Sequence, residues 1–181
     1  MIVVPTWDLF ITLFFIIGIG YGVILQREKI LATLVSTYIA LAVASVWGEK
    51  VFEFFNGNTI LFNQFWVRSN LSEFSIKALL FALIIVLLTL KGDFTIGLQK
   101  NEGMVSMVFV FIYSFLNTGL IISSVINFLP AASKLTIISS SNLAATVMNY
   151  STAWIVLPAL LMIVGGFLTA RSQTAANGAG E

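Results

Sequence analysis

Long apolar runs alternate with short polar interruptions along the chain. The runs cover 7–25, 30–47, 76–90, 105–129 and 152–170. At 1.5 Å per residue, about 19 residues cross a hydrocarbon core of ~30 Å. The pattern predicts an all-α fold: a polytopic transmembrane helical bundle of four to five spans, forming one domain over 1–170. The run 76–90 is short unless 71–75 joins it and Lys77 carries its ammonium to the headgroups. The run 152–170 contains Pro158 and the pair Gly165-Gly166, which a membrane helix tolerates because its neighbours re-satisfy the backbone. If one of these two runs does not span, four spans and a re-entrant or interfacial segment remain.

The interruptions carry their own information. Between the first two runs only Gln26, Arg27, Glu28 and Lys29 intervene, a length suited to a tight helical hairpin. The connector 48–75 mixes Phe52, Phe54, Phe55, Phe62, Phe65, Trp66 and Phe74 with Glu, Lys, Arg and Asn, so it is expected at the headgroup level. It either anchors a loop or touches lipid or a partner. The tail 171–181 is small and polar, with nothing to bury, and is expected to be disordered. No Lys or Arg precedes the first run and Asp8 stands at its start, so it reads as a retained span rather than a signal peptide.

Composition supports the membrane reading. Of 181 residues, 59% are hydrophobic and 9% charged, against roughly 25% charged in a soluble domain, and the mean hydropathy is +1.01. A net charge of +1 gives no reason to expect nucleic acid as a partner. The chain has no Cys and no His. Thiolate nucleophiles, disulfides, imidazole bases, zinc sites with Cys or His ligands and His- or Cys-ligated haem are thereby excluded. The eight acidic residues are scattered singly near span ends, so no acid and base pair is suggested. The expectation is a protein that is not an enzyme, with no cofactor and no catalytic or metal site.

Orientation rests on Lys and Arg near span ends. With five spans and the N-terminus outside, Arg27, Lys29, Lys91, Lys100 and Arg171 fall inside, against Lys50, Arg68, Lys77 and Lys134 outside. The short Arg27-Glu28-Lys29 connector supports the same choice, so the N-terminus is expected outside and the C-terminus inside. The triplets Asn70-Leu71-Ser72 and Asn149-Tyr150-Ser151 match glycosylation acceptors, a pattern short enough to arise by chance.

The stretch Gly18-Ile19-Gly20-Tyr21-Gly22 looks like a potassium-channel filter, which is a Thr-Val-Gly-Tyr-Gly loop. A filter needs an outer helix and a pore helix before it, and the first span leaves room for neither. Helix packing is the better reading. Gly18 and Gly22 share one helical face in a small-xxx-small pattern that lets two backbones approach in lipid. Ala32, Ser36, Ala40, Ala44 and Gly48 extend the device along the second span. A turn at Arg27 and Glu28 sets residues whose numbers sum to about 55 at equal depth. Gly22 then faces Thr33 and Gly18 faces Thr37, so the two arms are expected to press together through small residues.

Polar residues inside the fourth span are the other candidates. Asn117 and Thr118 lie near its middle, with Ser123, Ser124 and Asn127 towards its end. In hydrocarbon such groups need partners and act as structural glue by default. They can also line a substrate or ion path, although no mid-span charge accompanies them.

The first hairpin resembles the colicin V production protein family of small bacterial inner-membrane proteins. The similar features are Trp7-Asp8 opening a span, then Gly20-Tyr21, then Arg27-Glu28 and a second span rich in small residues. Gly97, Gly103 and the run Thr118-Gly119-Leu120-Ile121-Ile122 ending at Leu129-Pro130 look like that family's later helices. Members usually carry a basic pair and a further glycine after the Gly-aromatic step, where this chain has Gly22, Val23 and Ile24. The resemblance implies a multi-pass inner-membrane protein without recognised catalytic residues, linked to toxin export or envelope stress. The expected partners are the lipid bilayer and a second copy or another membrane protein. The expected role is scaffold or accessory subunit, with a small channel or transporter subunit as the alternative.

Overall fold

The computed structural model describes residues 6–56, 72–91 and 104–177, with side chains described except at 25–28, 56, 104–106 and 166–177. The described residues are helical, in the order α1 (Trp7–Asn56), α2 (Glu73–Lys91), α3 (Met104–Phe128), α4 (Ala131–Ser140), α5 (Asn142–Asn149) and α6 (Ser151–Asn177). Four stretches are long and apolar enough to cross a membrane: Trp7–Ile24, Lys29–Phe55, Glu73–Lys91 and Met107–Phe128. A fifth arises if α5 and α6, bent by 55° at their junction, count as one span. The protein is thus an all-helical bundle with the span number its hydropathy predicts.

The backbone of α1 is helical throughout, yet its two halves cannot share one straight axis. Ile11 belongs to a cluster with Ile122 and Ile126 of α3. Ala44 belongs to one with Phe81, whose ring lies 5.6 Å from that of Phe128. On a straight helix Ile11 and Ala44 would stand about 50 Å apart. Both instead reach the last turns of α3, so the chain reverses between Ile24 and Lys29. The tight hairpin expected from the four-residue connector is present.

Its arms run in opposite senses along α3, the central helix, of whose membrane window 67% is buried. Along the first arm, Gly18 meets Thr118 and Gly22 meets Ser114, an antiparallel register. Along the second, Ile30, Leu31 and Leu34 cluster with Tyr113 and Leu120, while Ala40 and Ala44 lie with Ile121, Val125 and Phe128, a parallel one. Helix α2 runs antiparallel to the second arm, with Phe81 at Ala44 and Lys77 at Gly48. Only 11% of the first arm and of α2 is buried, so Leu9, Phe10, Leu13, Ile16, Ile17, Leu79, Leu83 and Leu90 face outward as a lipid-facing surface does.

Element ends follow local chemistry. Helix α3 stops at Phe128 because Pro130 disfavours helical geometry before it. Pro130 then opens α4, its carbonyl accepting the Lys134 N–H at 2.9 Å. Ser141 is extended, with φ −140° and ψ 118°, and its hydroxyl oxygen accepts the Ala144 N–H to cap α5. Helix α2 takes in Glu73, Phe74 and Ser75, and Lys77 pairs with Glu73 one turn back. The second arm continues to Asn56, past residue 47, so the first part of the aromatic connector is helical. Its remainder, 57–71, and the positions Gly97 and Gly103 lie outside the described residues. Helix α6 likewise runs to Asn177, past residue 170, and 178–181 lie outside the description.

Candidate functional site

The first arm meets α3 at two glycines with no room between. A Cβ at Gly18 would lie 2.2 Å from Thr118 Oγ1, and one at Gly22 would lie 1.8 Å from Ser114 Oγ. Gly20, on the opposite side, has nothing within 4 Å. The glycine face therefore docks on the Ser114 and Thr118 hydroxyls of α3. This differs from the expectation that Gly18 and Gly22 meet the second arm at Thr37 and Thr33. The hairpin contact from that face comes from Ile30, whose Cδ1 would lie 3.3 Å from a Cβ at Gly22. Helical spacing identifies which side of a rod is flat but not which neighbour uses it.

The ladder on the second arm divides its work. Ala40 and Ala44, both fully buried, seat Phe81 of α2. Gly48 admits the aliphatic stem of Lys77, which would lie 2.4 Å from a Cβ there. Ala32 and Ser36 are buried, and the Ser36 hydroxyl donates to the Ala32 carbonyl at 2.8 Å.

The buried Ser and Thr hydroxyls of the second arm and α3 share one habit. Thr33 donates to the Lys29 carbonyl, Thr37 to Thr33, Ser114 to Val110 and Thr118 to Ser114, at 2.6–2.9 Å. Ser123 and Ser124 both donate to the Leu120 carbonyl. Each proton is spent on its own helix, so the oxygens turn lone pairs outward. Asn117 is 4% exposed, and its Oδ1 has no hydrogen-bond partner in the protein. Among the described residues, the other such buried side-chain atom is Thr89 Oγ1.

The five polar residues of the fourth span are not gathered on one face. At about 100° per residue, Asn117 and Thr118 point to different sides of α3, and Ser123 lies far round from both. Thr118 turns to Gly18 of the first arm. Asn127 is exposed at the end of the helix, where its Oδ1 accepts the Lys134 ammonium at 2.6 Å.

Three features beyond the sequence reading fix the last segment. Asp8 Oδ1 accepts the Ser141 hydroxyl at 2.7 Å and the Leu143 N–H at 3.0 Å, which ties the start of α1 to the N-terminus of α5. A carboxylate there is favoured by the helix dipole. Tyr38 donates to the Ile155 carbonyl and Tyr113 to that of Leu161, at 3.0 Å in the second case. These bonds flank Pro158, which lacks an N–H for the helical ladder. Trp154 lies over Gly119 and donates its indole N–H to the Val147 carbonyl at 3.0 Å, across the bend from α6 to α5. Tyrosines inside apolar runs and an acidic residue at the start of the first one were the available signals in the sequence.

Among the described residues no three His, Cys, Asp or Glu side chains are placed to hold a metal ion. Comparison of the chain with protein-family models, with curated proteins and with solved structures gives no match.

Proposed function

We propose that the chain is a non-enzymatic, multi-pass inner-membrane scaffold or accessory protein of the bacterial envelope, as its resemblance to the colicin V production protein family implies. The observation that carries this reading is the closeness of the interior: at Gly18 and Gly22 the first arm and α3 leave no space for a methyl group. A first arm pressed this closely on α3, with apolar outer faces on the first arm and α2, suits assembly with lipid, another membrane protein or a second copy better than conduction. The short Arg27-Glu28-Lys29 connector supports an N-terminus outside, and the family resemblance supports a role in toxin export or envelope stress.

A second reading, a small channel or transporter subunit, draws on Asn117, whose buried oxygen lacks a protein partner. Reconstitution into liposomes separates the two. The scaffold reading expects no ion or solute flux above empty vesicles, and a stable partner or oligomer in a mild-detergent pull-down. Flux abolished by Asn117→Leu would overturn it in favour of transport.

A further inference from the structure

We infer that α4 is a membrane-surface helix, lying along the bilayer in the headgroup layer on the side of Asp8. Leu135 and Ile138 are set among the lipids, and Ser133, Thr136 and Ser140 are turned to water. This rests on membrane residence, common to the scaffold and transport readings, and not on a choice between them.

The orientation of α4 follows from its two ends. The register that pairs Gly18 with Thr118 and Gly22 with Ser114 brings Asp8 level with Phe128, the last residue of α3. Helix α4 starts at Ala131, just beyond Phe128, and ends at Ser140, next to Ser141, whose hydroxyl is bonded to Asp8. Both of its ends therefore stand at nearly one level. Ten helical residues are about 15 Å long, so an upright α4 would carry Ser141 about that far from Asp8. The helix lies flat across the end of α3 instead.

That level is the edge of the apolar slab. Trp7 stands there beside Asp8. Ala44 packs with Phe128, so Trp47, Glu49 and Lys50 follow within two turns, and Lys77 is seated at Gly48. Between this level and Lys29 the second arm holds no Asp, Glu, Lys or Arg, nor does α3. Trp7 and Trp47 are exposed, as in the aromatic belt of a membrane surface.

The residues of α4 divide to suit the place. At about 100° per residue, Ala131, Leu135 and Ile138 fall on one side, and Ser133, Thr136 and Ser140 on nearly the opposite one. Ile137 lies between the two and packs with Ile11, Ile122 and Ile126 in the bundle. Leu135 is 67% exposed, although it is the largest apolar group on its side. Lipid is the occupant that covers it, because the adjoining first arm turns Leu9 and Phe10 outward at the same edge. A flat helix with one apolar and one hydroxyl-bearing side is what such a boundary accepts. Lys134 sends its ammonium back to Asn127 at the exposed end of α3, which keeps the charge among the headgroups.

The chain has no Cys, so single cysteines can carry nitroxide labels without further changes. The test places Ser133→Cys, Leu135→Cys, Thr136→Cys, Ile138→Cys and Ser140→Cys, with Ile16→Cys as a mid-span control, in vesicles of phosphatidylcholine and phosphatidylglycerol. Collisions with oxygen, which concentrates in lipid, are compared with collisions with a water-soluble nickel chelate. The oxygen-to-nickel ratio is expected to be severalfold higher at 135 and 138 than at 133, 136 and 140, and highest at 16. Free access of nickel to all five positions of α4 would place the helix in water and overturn the inference. Exclusion of nickel from all five would sink it into the hydrocarbon and do the same. Protection of 135 and 138 from both reagents would assign that side to a second copy or another protein. Nickel access at 16 would remove membrane residence itself, and the surface helix with it, so the two failures are told apart.

Discussion

Gly22 and Ser114 are in such close contact that the first arm and α3 fit only while position 22 lacks a side chain. A Cβ there would also lie 2.6 Å from the Ser114 Cβ, which is not the far end of a flexible chain. The Ser114 hydroxyl is in turn held by the Val110 carbonyl at 2.6 Å, so it has little freedom to turn away.

Gly22→Ala should therefore destabilise the bundle by about 1–3 kcal/mol, as overpacking does. Gly20→Ala, with open space around it, should be neutral or gain up to about 1 kcal/mol from helix propensity. Reversible unfolding in a detergent titration compares the two, and equal midpoints for both variants would show that the glycine face is not a contact.

The second arm makes a graded prediction. Ala40→Leu meets Phe81 in a fully buried position and should cost about 1–3 kcal/mol, weakening the seating of α2. Gly48→Ala displaces the flexible stem of Lys77 and should cost under about 1 kcal/mol. Thermal unfolding in detergent, followed by circular dichroism, ranks them, and the reverse order would contradict the placement of α2.

Tyr38→Phe and Tyr113→Phe each remove one hydroxyl bond to α6 and keep the ring. Interhelical hydrogen bonds in membranes are worth about 0.6 kcal/mol, so each variant should lose about that much. Exchange of the amides around Pro158 should speed up in both. Unchanged exchange with a large loss of global stability would mean that the rings, not the hydroxyls, hold α6.

Asp8→Ala should loosen α5 selectively. It removes the acceptor of the Ser141 hydroxyl and of the Leu143 N–H while leaving Ser141 free to cap Ala144. Asp8→Asn keeps a carbonyl oxygen and should loosen it less. Hydrogen exchange resolved along the chain should rise at 141–149 and not in α3, and protection at 141–149 equal to that of the unaltered protein would remove the clasp.

The span positions and the hairpin were legible because lipid imposes one strong rule: apolar length. The small residues were legible for the same reason, since Gly18, Gly22, Ala40 and Ala44 repeat at the period of a helix face. Their partners were not. Ser114 does not stand out in an apolar run, although with Thr118 it forms the small-xxx-small pair that complements the glycines. Helices α4 and α5 were missed because 131–150 is neither apolar enough to cross nor polar enough to be read as a loop. The Asp8 clasp joins residues more than 130 positions apart, beyond the reach of any local pattern.

Trp154 links two places that no backbone connects directly. Its six-membered ring fills the notch above Gly119, and its nitrogen grips the last turn of α5. A methyl group added at position 119 would push the indole off its seat and pull on Val147, so a change inside the central rod would be felt as an altered angle at the elbow outside it.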